Sequence, residues 1–185
     1  MNSRASEIIL LCEDQAQERL TRSYLKRCNV GDLEHVLSRR VGGGYTRVLD
    51  LFPIELRACR QRHKTKAKTL LIVLVDADNE AVENRRCQLL ERAKSAGLEQ
   101  FGDNEPAVLL IPKRHIETWI CALLGKTVTE QQDCKSSKKP DKEEFRQAAQ
   151  TLFDWSRPNA TPGPTLQSVP SLQTSLPDWR RIGSG

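Results

Sequence analysis

The stretch TLLIVLVDAD, residues 69–78, decides the fold class. Its first seven residues are apolar or β-branched without interruption, which is typical of a strand in a sheet covered on both faces. The run stops at Asp76, and a second carboxylate follows at Asp78. Residues 79–96 then place apolar side chains at helical spacing and end at Gly97, a residue type that often closes a helix. A buried strand leading directly into an amphipathic helix is the unit of a parallel α/β sheet.

The same unit recurs along the chain. Residues 8–12 (IILLC) precede a helical pattern that begins at Asp14, and residues 107–111 (AVLLI) precede one at 115–124. A weaker strand is predicted within residues 33–41, around 34–38, and a helix from about Thr46 that must hold Pro53 near its first turn. We therefore predict a mostly parallel, Rossmann-like α/β sheet of about four strands with helices on both faces.

These elements all fall within residues 1–125, and residues 126–185 have a different character. A polar linker leads to one helix predicted at 141–155. Residues 158–177 carry no charge and hold several prolines, so we predict neither helix nor central strand there. The C-terminal segment is expected to be an irregular, Pro-rich tail that packs on the same domain.

Composition narrows the class of protein. The 185 residues carry a formal net charge of +5, which permits an anionic partner without requiring one. No apolar run is long enough to span a bilayer, and the first residues lack the apolar core of a secretory signal. The six cysteines form no close pairs of the zinc-knuckle kind, so we expect reduced, buried thiols. A cytoplasmic protein without a membrane partner is predicted.

Acidic residues follow the predicted strands. Glu13 ends the first, Asp76 and Asp78 end the strongest, and Glu117 lies one turn into the helix after Ile111. Each could simply cap a helix. The alternative is a metal site, because the carboxyl ends of parallel strands meet at one edge and clustered carboxylates need a cation to offset them. Hard oxygen ligands favour Mg²⁺ or Mn²⁺. We predict that the strands containing residues 11 and 73 are parallel neighbours.

Several of these segments resemble a known family. IILLCE (residues 8–13), the glycine turn at 42–44 and LVDAD (residues 74–78) resemble the TOPRIM domain of topoisomerases, primases and the overcoming-lysogenization-defect nucleases. IPKRHIETW (residues 111–119) is similar to the Ile-Glu-x-Trp helix of small TOPRIM-like proteins related to those nucleases. Segments 170–172 and 179–182 also resemble how some of those chains end.

The resemblance implies a TOPRIM-like fold and a Mg²⁺-dependent or Mn²⁺-dependent nuclease. It carries the family's catalytic and metal-binding carboxylates onto Glu13, Asp76 and Asp78, with Glu117 completing a second site. The nuclease relatives work with an ATPase. This sequence has no phosphate-binding P-loop, so any ATPase would be a separate partner. An effector role in prokaryotic anti-phage defence is a further expectation from the resemblance.

Basic residues suggest where nucleic acid would bind. Residues 57–68 hold six lysines and arginines and no acidic residue, and they form either a solvated helix end or a contact for a phosphate backbone. The residues assigned to that contact are Arg60, Arg62, Lys64 and Lys66. This stretch precedes the strand that ends at Asp76, so it should lie about 20 Å away at the opposite edge.

Three other basic residues are better placed for the scissile phosphate: Arg47, Lys113 and Arg114. Lys113 could neutralise charge that develops on the phosphate, or it could be solvated. We interpret His115 as structural or phosphate-facing, because no second histidine stands one helical turn from it. Trp119 is interpreted as a core residue.

The leading hypothesis is a metal-dependent nuclease acting on DNA or RNA. The alternative is a non-catalytic module of the same fold that binds nucleic acid or a partner protein. A receiver-like phosphotransfer domain also gathers carboxylates at strand ends, but the Asp76-x-Asp78 pair fits it poorly.

Overall fold

The computed structural model describes residues 7–64, 68–102, 104–135 and 139–184. It contains one sheet, in the order β2-β1-β3-β4, and all three strand pairings are parallel. The strands are β1 (Glu7–Cys12), β2 (Leu37–Val41), β3 (Thr69–Leu74) and β4 (Ala107–Leu110). The predicted fold class, an α/β protein with a four-stranded parallel sheet, is confirmed.

The register of the two central strands brings their ends to one level. Leu11 lies opposite Val73, and Cys12 lies opposite Leu74. The prediction that these strands are parallel neighbours is therefore confirmed. Because β1 and β3 end side by side, the residues that follow them, Glu13 and Asp76, leave the sheet at the same edge.

Helices cover both faces of the sheet. α3 (Gly44–Lys64) and α4 (Val82–Ser95) pack on one face, against strand residues such as Leu11 and Val73. Four helices pack on the other face: α1 (Gln15–Arg27), α5 (Ile116–Leu123), α6 (Lys142–Ser156) and α7 (Pro170–Ser184). Alternate residues of each strand serve the two faces, as the pleat requires. No helix in the part of the chain that the structure describes is both long and apolar enough to cross a membrane.

The C-terminal segment is more regular than the sequence predicts. A short 3₁₀ helix spans Pro164–Ser168, and α7 begins at Pro170, so the prediction of no helix within residues 158–177 is wrong. The first position of a helix tolerates proline, since its N–H would have no partner there. Leu172, Leu176 and Trp179 recur at helical spacing and are buried against the domain. This tertiary burial outweighs the cost of Pro177 inside the helix.

Two local predictions are also corrected. The strand predicted within residues 33–41 begins only at Leu37 and ends at Val41 as expected. Residues Leu33–Val36 instead form a short helix, α2, whose N-cap Asp32 accepts a hydrogen bond from the Glu34 N–H. Pro53 lies in the middle of α3 rather than in its first turn. Burial of neighbouring residues such as Phe52 against the sheet keeps that helix continuous through the proline.

All six cysteines are free, and their burial is mixed. Four are buried and Cys121 is half-buried, as expected for thiols that act as small apolar side chains. Cys87 is exposed on α4, so the expectation of burial is wrong at this position.

Candidate metal centre

Asp76 is the buried anchor of the site. It is separated from the end of β3 by Val75 alone, and it is 2% exposed. Its Oδ1 accepts a hydrogen bond from Gln17 Nε2 at 2.9 Å, and its backbone N–H donates to Glu13 Oε1 at 2.7 Å. Gln17 is fully buried in α1, and its Oε1 accepts from the Glu13 N–H at 2.8 Å. Gln17 therefore joins the residues that follow β1 and β3.

Asp76, Asp78 and His115 bring three possible metal ligands together. One ligand atom from each side chain lies within 4.8 Å of the others. His115 Nδ1 is 3.6 Å from Asp76 Oδ2 and 3.5 Å from Asp78 Oδ1. This nitrogen is buried and has no hydrogen-bond partner among the described residues. A buried imidazole nitrogen that faces two carboxylates suits a divalent cation, so the three side chains could hold a metal ion.

The backbone explains how these side chains meet. Asp78 has a left-handed backbone with φ of 54°, a conformation that Asp adopts more readily than most residues. The Ala77 N–H donates to the Pro112 carbonyl at 2.8 Å, which ties the loop after β3 to the segment after β4. His115 is the N-cap residue of α5, but its side chain makes no capping bond. The imidazole is therefore available to face the two aspartates.

Two basic side chains lie beside the carboxylates. Lys135 Nζ is 3.8 Å from Asp76 Oδ2, and Arg85 Nη2 is 3.7 Å from Asp78 Oδ2. Arg85 also donates to the Ala77 carbonyl and lies 3.8 Å above the centre of the Tyr45 ring. These contacts fix the guanidinium, and both cations offset part of the negative charge.

Burial and neighbouring charges raise the pKa values of several groups at this site. Burial and then the charge of Asp76 raise the pKa of Glu13 to about 7. Burial likewise raises the pKa of Asp76 and of Glu117. Interaction with Asp76 raises the pKa of His115. A cation would compete with protons for these groups, so its affinity would fall as the pH falls.

Glu13 and Glu117 lie near the group of three but outside it. The Glu13 carboxylate already accepts the Asp76 N–H. Glu117 is half-buried, and its Oε2 is buried without a hydrogen-bond partner among the described residues. It lines a neighbouring cavity of about 410 Å³ together with Asp14 and Lys135. The structure thus brings the four predicted carboxylates to one edge, and their roles as ligands stay predictions.

The basic residues predicted for the scissile phosphate lie at this edge too. Lys113 Nζ donates to the Glu80 carbonyl at 2.6 Å, and Arg114 Nη1 donates to Asn79 Oδ1 at 2.6 Å. Both therefore brace the loop after Asp78. Arg47 is exposed in the first turn of α3.

The described part of the basic stretch, residues 57–64 and 68, lies at the opposite edge of the sheet, as its position before β3 predicts. Arg60 pairs with Glu105, which precedes β4, at 2.7 Å. Arg62 pairs with Glu7, the first residue of β1, at 2.8 Å. Lys64 ends α3, and Lys66 lies outside the described residues. These partners occupy two of the basic side chains and hold them far from Asp76.

Sequence analysis missed four residues of this site: Gln17, Arg85, Lys135, and His115 as a candidate metal ligand. His115 lies five residues after the end of β4, much as Asp78 lies four residues after the end of β3, and this placement is a signal in the sequence. Gln17 and Arg85 look like ordinary polar residues of amphipathic helices. Lys135 comes from the polar linker, where no pattern singles it out.

Comparisons with protein-family models, with curated proteins and with solved structures find no match to this chain. The functional argument therefore depends on the site itself.

Proposed function

We propose that this protein is a metal-dependent nuclease that hydrolyses phosphodiester bonds in DNA or RNA. The observation that carries the proposal is the meeting of Asp76, Asp78 and His115 at the carboxyl edge of a parallel sheet, with ligand atoms within 4.8 Å. Open parallel sheets bind their ligands at this edge.

The residues around the three ligands suit phosphoryl chemistry. A bound divalent cation would activate a water molecule and polarise the phosphate. Gln17 holds Asp76 in a fixed orientation through the 2.9 Å bond to Oδ1. Lys135 can stabilise negative charge that develops on the phosphate oxygens. Glu13, whose pKa is raised to about 7 by burial and by Asp76, can exchange a proton near neutral pH.

The metal we propose is Mg²⁺ or Mn²⁺. Two aspartates supply the hard oxygen ligands that both ions accept. The resemblance of residues 8–13, 74–78 and 111–119 to TOPRIM proteins also supports a metal-dependent nuclease. On the same resemblance we propose a separate ATPase or another defence-system subunit as partner, which co-purification from cells under phage challenge can test.

A specific observation also favours the second candidate, a non-catalytic binding module. Lys135 and Arg85 lie within 4 Å of the two aspartates and partly neutralise them without a metal. A site balanced in this way could bind a partner's polar groups instead of cutting a phosphodiester.

A cleavage assay separates the two candidates. The protein is incubated with end-labelled single-stranded and duplex DNA and RNA in Mg²⁺, in Mn²⁺ and in EDTA. The nuclease proposal expects metal-dependent cleavage that falls at least about a hundredfold in Asp78→Asn. Glu83→Gln, an exposed carboxylate of α4, is the matched control and should cleave like the wild type. Binding without cleavage in either metal, or full activity in Asp78→Asn, would overturn the nuclease mechanism.

A further inference from the structure

A basic groove leads away from the candidate metal centre along α1. It consists of two adjoining cavities, of about 410 Å³ and 580 Å³, which share Gln15, Arg19 and Phe145 in their walls. The first cavity adjoins the metal centre, since Glu117 and Lys135 line it. The second continues between α1, the β2 strand and the start of α6.

Basic residues outnumber acidic ones in the walls of both cavities. Besides Arg19, the first holds Lys135 and Lys139, with the acidic residues Asp14 and Glu117 on the side of the metal centre. The second adds four more basic residues against a single carboxylate, Glu18: Arg22, Lys26, Arg39 and Lys142. The excess of basic over acidic residues therefore grows with distance from the candidate metal centre.

Part of this charge is free to bind an anion. Glu18 pairs with Arg22 at 3.5 Å and with Arg39 at 3.0 Å, so its charge is divided between two guanidinium groups. Arg19, Lys26 and Lys142 are exposed and make no ion pair with any residue that the structure describes. The 57–68 stretch differs, because Arg60 and Arg62 have carboxylate partners of their own.

The dimensions suit a polymer better than a small anion. Asp14 caps α1 beside the metal centre, and Lys26 lies twelve residues later in the last turn. At about 1.5 Å per residue, these positions are about 18 Å apart along the helix axis. This length accommodates several consecutive phosphates of one strand. Arg19 and Lys26, seven residues apart, lie on the same face of the helix.

We propose that this groove holds the sugar-phosphate backbone of a nucleic-acid strand and guides it to Asp76, Asp78 and His115. The proposal deepens the proposed function and rests on it for the role of the metal centre. The aromatic side chain shared by the two cavities, Phe145, is 4% exposed and leaves little surface on which a base could stack. Contacts to phosphate carry no sequence information, so binding in this groove is independent of sequence.

Binding measured in EDTA tests the groove apart from any cleavage. The probe is a fluorescent single-stranded DNA of mixed sequence, followed by anisotropy over a series of salt concentrations. The variant is the triple substitution Arg19→Ala, Lys26→Ala and Lys142→Ala, which breaks no ion pair between described residues. We expect affinity at least about tenfold weaker and a salt slope smaller by about 2, as three lost phosphate contacts require.

A matched control removes the same charge outside the groove. It is the triple substitution Arg86→Ala, Lys94→Ala and Arg157→Ala, at side chains that line neither cavity and pair with no carboxylate in the described part of the chain. We expect its affinity to stay within about twofold of the wild type. Thermal melting of both variants establishes that each one is folded.

The outcomes separate the groove from the nuclease mechanism. Wild-type affinity and salt slope in the groove variant, a larger loss in the control, or no binding by the wild type would each overturn the groove. If the wild type cleaves with metal and the groove variant binds normally, the groove fails while the nuclease proposal stands. If binding is lost in the groove variant but the wild type never cleaves, the groove stands and the nuclease proposal fails.

Discussion

The Glu13 carboxylate accepts a hydrogen bond from the backbone N–H of Asp76 at 2.7 Å, so the segments that leave β1 and β3 are joined directly. The side-chain amide of Gln17 reinforces this link. Its nitrogen donates to the Asp76 carboxylate, and its oxygen accepts from the Glu13 N–H. These hydrogen bonds support Asp78 and His115 from below. Such support matters because a metal site needs its ligands held in place by the surrounding residues.

The two hydrogen bonds of the Gln17 side chain predict that its removal lowers both the stability and the metal affinity of the protein. Gln17→Ala leaves Asp76 Oδ1 and the Glu13 N–H without these partners in a buried region, so we expect a loss of about 2–3 kcal/mol in the free energy of unfolding. Metal affinity should fall about tenfold or more, because Asp76 loses its orientation. Urea denaturation and metal titration measure the two effects. Gln15→Ala, an exposed neighbour on α1, is the control, and an equal effect there would contradict the role of Gln17.

The raised pKa of Glu13 predicts that the stability of the metal-free protein depends on pH. Its pKa is raised from 4.5 to about 7 by burial and by Asp76, so the folded state binds this proton more tightly than the unfolded state. The resulting stabilisation is complete below about pH 4.5 and is lost as the pH rises through 7. Glu13→Gln keeps an acceptor for the Asp76 N–H but cannot ionise.

We therefore expect the stability of Glu13→Gln relative to the wild type to increase by about 1–2 kcal/mol between pH 5 and pH 8. Urea denaturation in EDTA at both pH values measures this difference. Glu83→Gln should show a constant difference. A constant difference for Glu13→Gln as well would contradict the raised pKa.

If His115 is a ligand, its substitution should weaken the binding of Mn²⁺ more than the binding of Mg²⁺. An imidazole nitrogen is a softer ligand than a carboxylate, and Mg²⁺ favours oxygen. We expect His115→Gln to weaken Mn²⁺ binding about tenfold and Mg²⁺ binding much less. Isothermal titration with each ion compares the two losses. Equal losses for Mn²⁺ and Mg²⁺ would indicate that His115 is not a ligand and acts only through packing or charge.

The C-terminal helix predicts a stability effect far from the metal centre. Trp179 is fully buried, and its backbone carbonyl accepts a hydrogen bond from the Tyr24 hydroxyl at 2.6 Å. Trp179→Ala should cost about 3–5 kcal/mol in the free energy of unfolding. Ile54→Ala, at a side chain that is 56% exposed, should change it by less than about 0.5 kcal/mol. Similar small losses in both variants would show that α7 contributes little to the core.

The sequence predicts the sheet well because its strands are continuous apolar runs. Such runs at β1, β3 and β4 indicate burial on both faces, and they place Glu13 and Asp76 at one edge without further information. The tail departs from the prediction because the local preferences of its prolines do not reflect the surface against which it packs. Leu172, Leu176 and Trp179 form a helical stripe that is stable only against the sheet and α6.

Completion of the metal centre depends on contacts between distant residues. Lys135 approaches Asp76 from a linker without periodicity, and Gln17 is buried only because α1 packs across the end of β3. No second histidine stands one helical turn from His115, and the side chains that face it are two aspartates in the loop after another strand. Such pairings follow from the topology of the sheet and cannot be derived from local patterns.

The central claim is tested most directly by a Mn²⁺ titration followed by electron paramagnetic resonance, which measures the free ion. Wild-type protein and Glu83→Gln should each bind Mn²⁺ at a site from which Mg²⁺ can displace it. Asp78→Asn keeps the side-chain shape and tolerates the left-handed backbone, yet it removes one negative ligand, so it should bind at least about tenfold more weakly. Equal Mn²⁺ affinity in Asp78→Asn and the wild type, or no binding by the wild type, would contradict a metal centre at Asp76, Asp78 and His115.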